Sequence, residues 1–290
     1  MSVTNINADF ETLTSHWSSM NNPRENARKE MMESVGAETW TYGKNFAKQL
    51  RSKIFQHPVA TNPMIRAMNE GQFSFQQMRH IHLEYRHAIV QIFVDALLKL
   101  TFNCESFDNN LKPGSKQAPR FLILLNLLDE LGFLPGLDES GYYKGNPIYS
   151  HYPLYEDVLY AYQISDEDRK HYEPSVISSK VRECLQAEYN NVLGLAALLA
   201  TAEIQVMLFS PPLRENSAKV GINTDEGYYM VHGCADNGQE FANDDDHEAD
   251  LWLLVAMLVN SDNAASVENV VMNYCDLWDE FWLHQHTFHS

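Results

Sequence analysis

The sequence predicts an all-α fold, a single-domain helical bundle of about seven to nine helices. Apolar residues recur at helical spacing through most of the 290 residues. No run alternates apolar and polar residues as a half-buried strand does, and there is no internal repeat, heptad pattern or low-complexity linker. Proline, glycine and small capping residues fall where helices should begin and end.

Residues 1–23 read as a loosely ordered extension within the single domain 1–290. Residues 24–55 form one or two amphipathic helices. In HPVATNPMIRAMNEG, Pro63 suits a first helical turn and Gly71 a stop. Ser74 is an N-cap with Gln77 three residues on. The helix it opens carries one apolar stripe: Met78, Ile81, Tyr85, Ala88, Ile89, Ile92 and Ala96. Residues 118–134 make a further helix, closed by Pro135-Gly136. The Gly-, Tyr- and Pro-rich stretch 136–155 reads as the longest irregular segment and as a lid or substrate loop. Helices follow at about 155–163, 176–209, 247–260 and 264–284.

A formal charge of −18 disfavours nucleic acid and anionic membranes as partners. The opening MSVTNINADFETLTSHW has no basic stretch followed by an apolar one, so no secretory signal is expected. Cys104, Cys184, Cys234 and Cys275 lack CxxC spacing, which fits a reducing cytoplasm rather than a disulfide framework. The run 191–209 reaches membrane-spanning length, yet Thr201, Glu203 and Gln205 within it favour a soluble core helix.

Glu203 is the most informative residue. It sits in NVLGLAALLATAEIQVMLF, apolar nearly all round, where an ionised carboxylate must be paired, protonated or metal-bound. An arginine, a tyrosine hydroxyl or a bound water could also satisfy it. Glu84 and His87 are i,i+3 in EYRH, a spacing that lets both reach one metal from one helix, and His80 lies two turns before His87. A solvated face with a chance histidine would give the same pattern. In YYMVHGCADNGQEFANDDDHEADLW, Asp244 and His247 are again i,i+3, and His232 lies upstream. The consecutive aspartates also suit a helix N-terminus, and His232 a core position. Three carboxylates and three histidines are the donor set of a non-haem di-iron centre. There is no Gly-rich phosphate loop, G-x-S-x-G or H-E-x-x-H motif.

That order of donors resembles the haem-oxygenase-like di-iron oxidases, whose fold is shared with TenA/thiaminase II and PqqC proteins. The resemblance runs from HPVATNPMIRAMNEGQFSFQQMRHIHLEYRHAIVQIF through AALLATAEIQ to YYMVHG…DDDHEADLW, roughly residues 45–285. It implies Glu84, His87, Glu203, His232, Asp244 and His247 as metal ligands, with Glu84 and Glu203 also catalytic. Residues between His232 and His247 look inserted, so Asp236, Asp244 and Asp246 compete for the carboxylate place, and His80 rivals Glu84. The implied activity is O2 activation at two Fe(II) per chain on a small amino-acid or amine derivative, or a fatty acid. The outcome would be N-oxygenation, desaturation or oxidative C–C cleavage. The expectation includes an external electron donor, a cytoplasmic location and a homodimer. Tyr85, Tyr189, Tyr228 and Tyr229 would line or support the pocket, and Arg86 or Arg182 would hold a substrate carboxylate. Two other classes compete: a cofactor-free TenA-like enzyme using Cys184 or Cys234, and a non-enzymatic helical partner-binding protein.

Overall fold

The structure, a computed structural model, describes residues 22–231 and 243–288; the side chains of 243–245 and 288 are outside that description. The chain runs α1 (Pro23–Val35), α2 (Ala37–Gln56), α3 (Pro63–Asn69), α4 (Phe75–Tyr85), α5 (Phe93–Asn103), α6 (Phe107–Asn110) and α7 (Gln117–Glu130). A hairpin, β1 (Phe133–Leu137) and β2 (Tyr143–Gly145), precedes α8 (His151–Ala161), α9 (Asp166–Lys170) and α10 (Val176–Ala187). Then come α11 (Val192–Lys219), α12 (Tyr228–Val231), α13 (Asn243–Leu258) and α14 (Ala264–Phe288). The predicted all-α class holds.

The bundle is built around α11. Its first four turns are apolar on every face, so burial on all sides is the stable arrangement. It packs on α13, α3, α14 and α5. Of its most apolar stretch 89% is covered by protein, so a run long enough to span a membrane serves as the core helix. Pro211 and Pro212 lie inside α11, and the helix continues past them to Lys219.

Helix α13 packs against α2, and Gly43 permits the close approach. A Cβ there would stand 1.8 Å from the Ala256 carbonyl oxygen. Two buried ionic contacts tie the N-terminal helices to α13. Arg51 Nε donates to Glu248 Oε1 at 2.6 Å, and Trp252 Nε1 donates to the same oxygen at 2.8 Å. Arg24 and Arg28 each donate to Asp250 at 2.6 Å.

Four details depart from the sequence reading. The expected 118–134 helix ends at Glu130, and the chain turns into an antiparallel hairpin with Phe133 opposite Gly145. Gly132 makes this turn at φ +78°, where a Cβ would meet the Asn146 carbonyl at 2.6 Å. The 176–209 helix is two helices, because Asn191 accepts from the Gly194 N–H and starts α11 afresh. Helix α8 begins at His151, so part of the supposed loop is helical. Between α4 and α5 lies a π-turn, Arg86–Val90.

Candidate functional site

Glu203 faces a small, partly open cavity between α4, α5, α7, α8, α11 and α12. Its polar lining is Tyr85, Glu130, His151, Tyr152, Glu203 and Tyr228. Ile89, Val90, Phe93 and Val206 form the apolar remainder. The cavity measures about 30 Å³, enough for water or an ion and too small for an organic substrate.

Each polar residue arrives by a simple local rule. Asn126 and Glu130 are i,i+4 on the buried face of α7, among Leu122, Ile123 and Leu127. His151 opens α8, directly after the hairpin brings the chain back to the end of α7. Tyr85 ends α4, and Tyr228 begins α12.

Asn126 Nδ2 donates to Glu203 Oε1 at 2.8 Å. Asn126 also borders a minute void shared with His247, Met31 and Asp250. The structure therefore brings Glu203 and His247 to the neighbourhood of one asparagine. His151 Nδ1 lies 3.0 Å from Glu130 Oε1, and Nε2 lies 4.0 Å from Asp129 Oδ2. Burial, then the neighbouring Tyr85 and Tyr155, hold the Tyr228 phenol well above its usual range, so it remains a neutral O–H donor.

No lysine or arginine lines the cavity among the described residues. Residues 1–21, 232–245 and 288–290 contain none either, so no other part of the chain supplies one. Two nearly fully buried carboxylates, Glu203 and Glu130, thus line one small space together with His151. A proton, an imidazolium or a bound cation beside such groups lowers the cost of burying them.

The other expected residues lie elsewhere. Glu84 is fully buried but turned toward the N-terminus of α10, where it accepts from Ser175 N at 3.0 Å, Ser175 Oγ and Tyr172 Oη. That environment satisfies a carboxylate through donors and a helix dipole. His80 stands 4.0 Å from Glu84 and borders a shallow groove with Arg79, Asp168 and Tyr172. His87 falls in the π-turn, whose wider winding spoils the i,i+3 alignment with Glu84. Its imidazole is half-buried, and burial, followed by Arg182, lowers its basicity. Neither Glu84 nor His87 reaches the Glu203 cavity. Asp244 lies on α13, with its side chain outside the described residues; His232 and Asp236 are outside them altogether. Asp246 is 3.3 Å from Arg28 Nη2. Among the described residues, no three His, Cys, Asp or Glu side chains are grouped to hold a metal ion.

Tyr85 and Tyr228 line the cavity as expected, whereas Tyr229 is bound to His82 and Ser217 and Tyr189 is half-buried elsewhere. Arg86 is engaged by Glu156 and Tyr152, and Arg182 by the His87 carbonyl and Gln91. Glu130 and His151 were not singled out from the sequence. The available signal was two polar residues, Asn126 and Glu130, on the apolar face of a predicted helix.

No protein-family profile matches the sequence, and no curated protein matches it. Solved structures do. The chain is similar to a CADD-like protein of unknown function from Nostoc punctiforme PCC 73102, with a TM-score of 0.59 and 17% identity over 86% of this chain and 99% of that one. It is also similar to a TenA homolog from Pseudomonas syringae pv. tomato str. DC3000, with a TM-score of 0.58 and 12% identity over 86% of this chain and 93% of the other. At these identities the likeness is one of fold and carries no activity. The chain has the haem-oxygenase-like helical fold of the TenA type.

Proposed function

We propose that the Glu203 cavity is the metal-binding end of a non-haem, O2-activating di-iron enzyme that oxidises a small amino-acid or amine derivative. The observation that carries this is that two buried carboxylates, Glu203 and Glu130, line one cavity with an imidazole, His151. Carboxylate and imidazole donors suit iron, and a cation offsets the repulsion that burial of both carboxylates creates. The donor types fit, but the described residues alone do not close a ligand group. In this reading Glu203, Glu130 and His151 would hold one side, and His247 with His232 and Asp244 would complete it; Glu130 and His151 stand in for Glu84 and His87. Bound ferrous iron would supply electrons to O2, with an external donor restoring them.

The chain's own residues have definite tasks. Asn126 orients the Glu203 carboxylate, and Tyr228, held neutral, lines the cavity as an available O–H donor. Ile89, Val90, Phe93 and Val206 exclude water, which strengthens every charged contact inside. His151, held beside Glu130, can carry a proton between the cavity and the outer face of α8.

Anaerobic Fe(II) loading, metal analysis and then exposure to O2 test the reading. The expected result is about two irons per chain and a transient visible absorption, both lost in Glu203→Ala. Full iron loading by Glu203→Ala would show that the assignment is mistaken.

A second reading is favoured by the Glu130–His151 contact, a ready acid–base couple: a cofactor-free enzyme of the TenA kind. Its nucleophile is hard to find among the described cysteines. Burial pushes the Cys104 and Cys275 thiols up to about 12, and also raises that of half-buried Cys184. Cys234, outside the described residues, would have to serve. Inactivation by alkylation, with no metal requirement, would favour this second reading over the first.

A further inference from the structure

The Glu203 cavity has no room for a substrate, but a larger space adjoins it. A groove of about 690 Å³ opens between the β1–β2 hairpin, α8 and the segment ending in α12. Small-molecule sites span roughly 300–1,000 Å³. The groove and the inner cavity share His151 and Tyr228, so these two side chains form the partition between them.

The groove's walls state what they would accept. Leu134 and Met230 are 52% and 51% exposed, and Phe133 and Leu154 extend the apolar surface. Its charged residues are all acidic: Asp129, Asp157 and Glu226. Among the described residues no lysine or arginine lines it. A carboxylate-bearing ligand would meet only repulsion here. Asp129 stands beside the partition, with its Oδ2 4.0 Å from His151 Nε2.

We propose that this groove binds a small amine with an apolar body, its ammonium against Asp129 and its chain along Phe133, Leu134 and Met230. The assignment rests on the proposed function only in treating the groove as the approach to the Glu203 cavity. It selects the amine from the two substrate classes left open above, and it excludes fatty acids and amino acids held by their carboxylate.

Calorimetric titration of the metal-free full-length protein with n-hexylamine, 1-hexanol and hexanoate tests it. Hexylamine should bind about tenfold or more tighter than hexanol, as a desolvated charge contact implies, and hexanoate should bind weakest. Asp129→Asn should bring hexylamine down to the hexanol level while leaving hexanol binding unchanged. If that variant does not fold, the double variant Asp157→Asn/Glu226→Gln, at exposed positions, should weaken the amine and spare the alcohol. Equal binding of hexanoate, no binding of hexylamine, or insensitivity of the amine to these changes would overturn the proposal. Iron loading of the wild-type protein, measured beside amine binding, keeps the two readings apart. Retained hexylamine binding in a wild-type protein that never loads iron would remove the di-iron function and leave the amine site standing. Iron loading without amine binding would do the reverse.

Discussion

His82 is fully buried, with Nδ1 2.7 Å from the Met78 carbonyl and Nε2 2.6 Å from Tyr229 Oη. Burial pushes its pKa down to about 4. The unfolded chain then binds more protons than the native one between roughly pH 4 and 6.5, so stability is complete above 6.5 and falls as the solution is acidified. Wild type should lose about 2 kcal/mol more than His82→Asn between pH 7.5 and pH 5 in denaturant unfolding. Equal losses would mean His82 is not held neutral. Glu84 offers a second single-residue test. Its oxygens accept from Tyr172 and Ser175, and a glutamine would aim a donor at donors. Glu84→Gln should cost about 1–3 kcal/mol while iron loading is retained. Loss of iron with unchanged stability would instead make Glu84 a ligand, as the resemblance implies.

Between elements, the contact of α2 with α13 fixes where His247 stands. These helices approach so closely at Gly43 that an added methyl would run into the Ala256 backbone, which cannot rotate aside. Gly43→Ala should therefore cost at least about 1–3 kcal/mol, despite the better helix propensity of alanine, read as a lowered unfolding midpoint. A neutral or stabilising result would show that the helices separate at little cost. The π-turn acts at the same scale. Across it, Glu84 faces α10 and Tyr85 the Glu203 cavity, while His87 lies outside the cavity, with its carbonyl bonded to Arg182 of α10. The 3.6-residue period used to align Glu84 with His87 does not apply across such a turn.

For the whole molecule, burial of Glu203 and Glu130 links metal binding to global stability. A ligand bound only by the native state stabilises by about 2.7 kcal/mol at a hundredfold excess over Kd. Fe(II) added anaerobically should raise the thermal midpoint of wild type and leave that of Glu203→Ala unmoved. An equal shift in both would indicate binding elsewhere, for example on the surface of a chain carrying a charge of −18. At this scale too, the ion pairs Arg51–Glu248 and Arg28–Asp250 anchor α13, because removing one partner would strand a buried charge.

By itself the sequence determined the all-α class, the Ser74–Gln77 capping box, the buried course of α11 and the special standing of Glu203. These depend on neighbours close in the chain: period, caps, and one charge in an apolar run. Only the tertiary structure decided which groups share the Glu203 cavity. Glu130 and His151 belong to helices separated by a hairpin that the 136–155 segment did not announce, and they meet because Gly132 reverses the chain. Glu84 looked like Glu203 in sequence, yet the start of α10 presents hydroxyl and backbone donors to Glu84 while α7 presents the Asn126 amide to Glu203. Periodicity gives the direction of a side chain from its own helix. What stands opposite depends on how distant segments pack, and that is where the chemistry of a buried carboxylate is set.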